Sequence, residues 1–224
     1  MTETSPRCVI FDLDGTLVDS AADMINAANA CLEGMGRGTP LDPEGDAATA
    51  FHGGRAMLRL GMQRTGGEDE GLIDAHFDGF LRAYGEAIAV HTVFYPGARE
   101  AVARLRARGH RVGICTNKPE GLAVQLLEAL GARDDFDALV GADTLPVKKP
   151  DAAPLVEAVR RAGGDIGHCC LIGDTKTDRL TAQAAGVPSI LTTFGPEGAL
   201  MPSLDPDGLL PGFEMLDSTL AALD

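Results

Sequence analysis

Residues 7–20, RCVIFDLDGTLVDS, open with an apolar run, Cys8-Val9-Ile10-Phe11, and then set Asp12 and Asp14 two residues apart just before Gly15. A short apolar run bounded by a turn signal reads as a strand buried on both faces, as in a parallel sheet. In an extended chain Asp14 would share a face with Asp12, and Gly15 permits the turn that follows. Open parallel sheets bind ligands beyond the carboxyl ends of their strands. A pair of carboxylates at that position therefore points to chemistry.

Residues 98–193 alternate short β-rich runs with helical ones. The predicted strands are RVGICT (111–116), ALV (138–140), CCLIG (169–173) and SILTT (189–193). Helices are predicted over 98–108, 121–130, 152–162 and 178–185. This alternation specifies an α/β fold with a parallel sheet covered by helices, to which the strand at 7–12 also belongs. The intervening segment, 16–93, reads as helical throughout. Ser20 with Asp23 resembles a capping box, followed by Met24, Ala28, Cys31 and Met35 at helical spacing. Ile73, Phe77, Phe80, Tyr84 and Ile88 form a second apolar stripe, and both stripes are expected to pack helices. Residues 195–216, rich in Pro and Gly, are expected to loop over the surface.

The chain has 224 residues, enough for one large domain or a main domain with an insert. Its net charge of -14 is scattered along the chain, which argues against nucleic acid and anionic membrane surfaces as partners. No apolar stretch approaches the roughly 18 residues of a membrane span, and MTETSPR lacks a signal peptide's apolar core. A cytoplasmic location and a monomer or homodimer are expected. The five cysteines lie in apolar stretches without a CxxC motif and read as buried thiols; only the adjacent Cys169 and Cys170 raise a redox alternative.

The other strand ends are also polar. One leads to Thr116-Asn117-Lys118, the segment after ALV to Lys148-Lys149-Pro150, and CCLIG to Asp174 with Asp178 four residues on. Singly, each has a plain explanation. Thr116 could cap the next helix, the lysines could form a solvated turn, and the aspartates could sit around a helix start. DxDG lacks the remaining ligands of an EF-hand and follows a strand where a helix should stand. Together they form a constellation. Carboxylates gathered at one sheet edge repel one another unless a cation is present, and Mg²⁺ binds through one or two carboxylates plus a substrate phosphate. A lysine and a hydroxyl nearby would complete a phosphoryl site in which one ionised Asp attacks phosphorus.

In the order DLDGT (12–16), TN (116–117), the KP lysine (149) and GDTKTD (173–178), the chain resembles the haloacid dehalogenase superfamily of phosphatases. The resemblance spans the chain, and YPGARE (95–100), TNKP (116–119) and KKPDAAPL (148–155) are most similar to bacterial phosphoglycolate phosphatases. It implies a Rossmann-like parallel sheet flanked by helices, formed by residues 1–15 and 94–224, with a helical cap domain inserted at 16–93. It also implies a small phosphorylated metabolite as substrate. Asp12 would be the nucleophile and Asp14 the general acid and base. Mg²⁺ would be held by Asp12, the backbone carbonyl of Asp14 and Asp174, with Asp178 supporting a metal-bound water. Thr116 and the backbone of Asn117 would bind phosphoryl oxygens, and Lys149 would pair with Asp12 and the phosphate. Ala152 and Ala153 depart from the family's proline pattern after the lysine, and the family's lysine directly before proline favours Lys149 over Lys148.

In the cap segment, FHGGRAML (51–58) places Arg55 after two glycines at a helix start, where it could bind a substrate carboxylate or lie on the surface. Three rivals share parts of the pattern. A phosphomutase would carry every core motif, a dehalogenase would normally lack Asp14, and a receiver-type signalling module would be about half as long without a helical insert.

Overall fold

The computed structural model describes residues 7–223, so that the opening MTETSP, read above for a leader, lies outside the described residues. The chain divides into two compact units, one running through Val18 and resuming at Phe94, the other comprising Asp19–Val93.

In chain order the elements are β1 (Cys8–Phe11), β2 (Val18–Asp19), α1 (Ala21–Gly34), α2 (Ala47–Phe51), α3 (Gly54–Arg64), α4 (Glu70–Glu86) and β3 (Val93–Phe94). They continue with α5 (Ala98–Ala107), β4 (Arg111–Cys115), α6 (Glu120–Ala129), β5 (Ala138–Val140), α7 (Ala153–Ala162) and β6 (Cys169–Gly173). The chain closes with α8 (Lys176–Ala185), β7 (Ser189–Thr192), β8 (Gly208–Leu210) and α9 (Leu216–Ala221).

The main sheet has the order β5-β4-β1-β6-β7-β8, and every pairing is parallel. All four residues of β1 are buried, as its unbroken apolar run requires of a strand covered on both faces. Cys8 and Ile10 pack with Leu155, Ala158 and Val159 of α7 and with Ala182 of α8. Phe11 stands 6.4 Å from Phe213, ring centre to ring centre. From β1 the chain proceeds to β4 and β5 on one side and to β6, β7 and β8 on the other, so the order switches beside β1. That switch point is where an open α/β sheet has a crevice for ligands.

The helical segment differs from its expected form in three respects. It is not helical throughout, because the chain crosses between the units in extended form at β2 and β3. Ser20 precedes α1 without a side-chain cap, and Asp23 does not serve a capping box. Instead its carboxylate accepts the backbone N–H groups of His91 and Thr92 and the Thr92 hydroxyl at 2.7–3.0 Å, tying the two ends of the unit together. The apolar stripes pack as expected, with Ile25, Leu32, Met57, Met62 and Ile73 fully buried.

Residues 195–216 are not a surface loop. β8 adds a sixth strand to the sheet, and Met201, Leu210, Phe213 and Leu216 are buried. The three-residue strand between PD and PG has too little length for its pattern to outweigh the surrounding turn residues. All five cysteines are free and buried, and burial pushes the Cys115 and Cys170 thiols up to about 12. As neighbours in one strand, Cys169 and Cys170 point to opposite faces of the sheet. Among the described residues, no helix is long and apolar enough to cross a membrane.

Candidate active site

β1 ends at Phe11, and Asp12 extends its ladder by one bond, its N–H donating to the Ile172 carbonyl of β6 at 2.8 Å. The strand does not continue to Asp14. The Leu13 carbonyl accepts the N–H groups of Thr16, Leu17 and Val18, which curls the chain, and Gly15 takes the left-handed conformation at φ +78°. Asp12 and Asp14 consequently serve different partners rather than sharing a strand face.

Asp12 faces Lys149, whose Nζ lies 2.9 Å from its Oδ2 and 2.6 Å from Asp178 Oδ1. The lysine side chain is 1% exposed, so an ammonium is shared by two carboxylates almost out of reach of water. Burial disfavours its charge, but Asp12 and Asp178 outweigh that cost and hold it well above an ordinary lysine. Lys148, its neighbour, is exposed. The second oxygen of Asp178 accepts the Thr175 N–H and hydroxyl and the Asp174 N–H, closing a capping box at the start of α8. Gly173 makes this possible, since a methyl group there would overlap the Asp178 carboxyl.

Asp174, at the end of β6, accepts the Thr16 hydroxyl at 3.0 Å. A side chain at Gly15 would collide with the Asp174 carboxylate, so the glycine is required both by its φ and by this close approach. Asp12, Asp174 and Asp178 bring oxygens within 4.8 Å of one another. Burial, and then the charges of Asp178 and Asp12, hold the Asp174 carboxyl well above the usual carboxylate range. Burial likewise pushes the Asp12 carboxyl up to about 6, against the pull of Lys149. Two carboxylates that resist ionisation side by side, with oxygens converging, fit a hard cation with oxygen ligands.

Thr116 follows β4 and is buried, but it does not cap a helix: α6 begins at Glu120 behind Pro119, and the Thr116 hydroxyl accepts the Lys118 N–H at 3.2 Å. The Asn117 amide donates to the Lys149 carbonyl at 3.1 Å, joining the second and third motifs. In the other unit, the Arg55 guanidinium pairs with Asp74 and lies 4.6 Å from the centre of the Phe77 ring. Gly53 takes φ +91° ahead of α3, and Gly54 lies so close to Phe80 that no side chain would fit.

Two residues were not singled out from the sequence. Lys118 places Nζ 2.8 and 2.9 Å from the two oxygens of Asp14, and Thr16 holds Asp174. Both sit in the polar runs at strand ends, which was the available signal. Their partners lie 104 and 158 residues away, which no local pattern reveals.

Comparison with known proteins agrees with this geometry. Residues 6–186 match the haloacid dehalogenase-like hydrolase family, and the chain belongs to that family as an enzyme of its phosphatase type. It is 36% identical over 214 residues to a phosphoglycolate phosphatase of Mesorhizobium japonicum, covering 95% of this chain and 94% of the relative. It is 40% identical over 191 residues to one of Chromobacterium violaceum, covering 84% and 86%. A crystal structure of a predicted phosphoglycolate phosphatase from Haemophilus somnus superposes with a TM-score of 0.82 at 24% identity, covering 96% of this chain and 98% of the other, and shares its fold.

Proposed function

We propose that the protein is a Mg²⁺-dependent phosphatase that hydrolyses a small phosphate monoester, 2-phosphoglycolate in preference, through an aspartyl phosphate. The observation that carries the reading is the shared ammonium of Lys149, 2.9 Å from Asp12 and 2.6 Å from Asp178, beside the converging oxygens of Asp174. The named substrate rests on the relatives above.

Asp12 attacks phosphorus, and the bond from phosphorus to the ester oxygen breaks. Asp14 gives that oxygen its proton; acting then as a base, it takes a proton from the water that cleaves the acyl phosphate and regenerates Asp12. Lys149 keeps Asp12 ionised and offers positive charge to the phosphoryl oxygens, and Thr116 with the Asn117 backbone orients them. Mg²⁺, when bound by Asp12, the Asp14 carbonyl and Asp174, supplies positive charge to the phosphoryl group in flight. Both oxygens of Asp178 are engaged by Lys149 and by the Thr175 and Asp174 groups, which fits support of the site rather than direct ligation. We infer a cytoplasmic enzyme whose cap, expected over 16–93, is the unit Asp19–Val93; Arg55, paired with Asp74, would serve there only after leaving that partner.

The test is phosphate release from a panel of phosphate esters with Mg²⁺ and with EDTA, beside Asp12→Asn. Release that needs both the metal and Asp12 and is fastest with 2-phosphoglycolate is expected. Equal rates across the panel would remove the named substrate. No Asp12-dependent release would overturn the phosphatase mechanism, and a phosphoryl group returned to a second sugar position would mark a mutase.

A further inference from the structure

We infer that Lys118 is the residue that recognises an anionic leaving group, binding a carboxylate attached to the carbon that carries the ester oxygen. The inference rests on the phosphatase reading above and on Asp14 as the acid that meets the ester oxygen.

Lys118 is buried at the cost of desolvating its charge. Its side chain is 4% exposed and Asp14 is 16% exposed, so the more buried partner of the pair is the ammonium. A carboxylate still in touch with water needs no buried counter-ion, whereas burying a lysine carries a desolvation penalty. The position of the ammonium relative to the reaction accounts for the arrangement. Asp12, Asp174, Asp178 and Asp14 give the strand ends four carboxylates, and Lys149 is already divided between Asp12 and Asp178. An incoming ester whose alcohol is itself anionic would meet net negative charge on the leaving-group side. Lys118 supplies positive charge there, in contact with both oxygens of the proposed acid at 2.8 and 2.9 Å.

Substrate dimensions lead to the same residue. In 2-phosphoglycolate the carboxyl carbon is two bonds from the ester oxygen, so a cation touching the group that protonates that oxygen lies within reach of the carboxylate. An ammonium is a compact point charge without a fixed fork, and it can hold a second anion while keeping the first. The Thr116 hydroxyl accepts the Lys118 N–H, and the Ala142 N–H donates to its carbonyl, so the backbone that presents this lysine is fixed on both sides.

The experiment compares 2-phosphoglycolate with ethyl phosphate, which has nearly the same size and an uncharged leaving group, in wild type, Lys118→Met, Lys118→Gln and Lys118→Arg. Loss of the lysine slows both esters, because Asp14 loses the charge paired with it. The expected signature is a further drop of about 10²-fold in kcat/KM confined to 2-phosphoglycolate, carried largely by KM. Arg, which keeps the charge, is expected to restore most of the preference that Gln does not. Calorimetric titration of each ester into Asp12→Asn and into Asp12→Asn/Lys118→Gln, both with Mg²⁺, reads the same difference without turnover. Parallel losses on the two esters, or equal binding by the two titrated proteins, would overturn the inference while leaving the phosphatase intact. Absence of Asp12-dependent hydrolysis of either ester by the wild type would overturn both.

Discussion

At the scale of single residues, the site is governed by how few cations serve how many carboxylates. Lys149→Met removes the ammonium shared by Asp12 and Asp178 and leaves two buried carboxylates uncompensated. Its expected effects are a fall in kcat of at least about 10²-fold and a loss of about 3–5 kcal/mol in urea unfolding. Asp12 sets a pH dependence whose sign follows from its environment. Burial raises its folded value to about 6 from an ordinary 3.8, so the folded state binds the proton more tightly than the unfolded chain. In metal-free protein its contribution to stability therefore falls as pH rises from about 4 to about 6. Urea titrations of wild type and Asp12→Asn in EDTA should show the variant gaining relative to wild type across that window, and Mg²⁺ should shrink the gain. A flat difference would show that Asp12 ionises freely. Gly15→Ala is expected to lose most of the stabilisation that Mg²⁺ gives, because the added methyl displaces Asp174; calorimetric melting with and without metal reads this directly.

At the scale of elements, strands and helices followed the short-range periodicities closely. β5 and β6 occupy the residues read from the sequence, since short β-rich runs between turn signals leave little alternative. The exceptions arose where one side chain had two possible partners. Asp23 stands three residues after Ser20, a spacing that satisfies a capping box, yet it is drawn to three donors on His91 and Thr92 far along the chain. A carboxylate with three long-range donors outweighs one local bond. Asp23→Ala leaves those donors unpaired and should cost about 2–3 kcal/mol by chemical denaturation.

For the whole molecule, sheet order brings the motifs together and recruits the C-terminal segment. Phe213 is buried against Phe11 on the central strand and against Phe194, at 6.4 and 5.6 Å between ring centres. Phe213→Ala should therefore cost about 3–5 kcal/mol, measured by urea unfolding, whereas a surface-loop phenylalanine would cost almost nothing. The succession of strands and helices, the helical insert and the chemistry at four strand ends were legible in the sequence, because these depend on residues a few positions apart. Long-range packing places β1 between β4 and β6, brings Lys118 to Asp14 and adds residues 208–210 to the sheet. Those outcomes depend on contacts between segments far apart in the chain, as between Cys8 and Cys169, whose energies are settled by burial and charge pairing once the sheet has assembled.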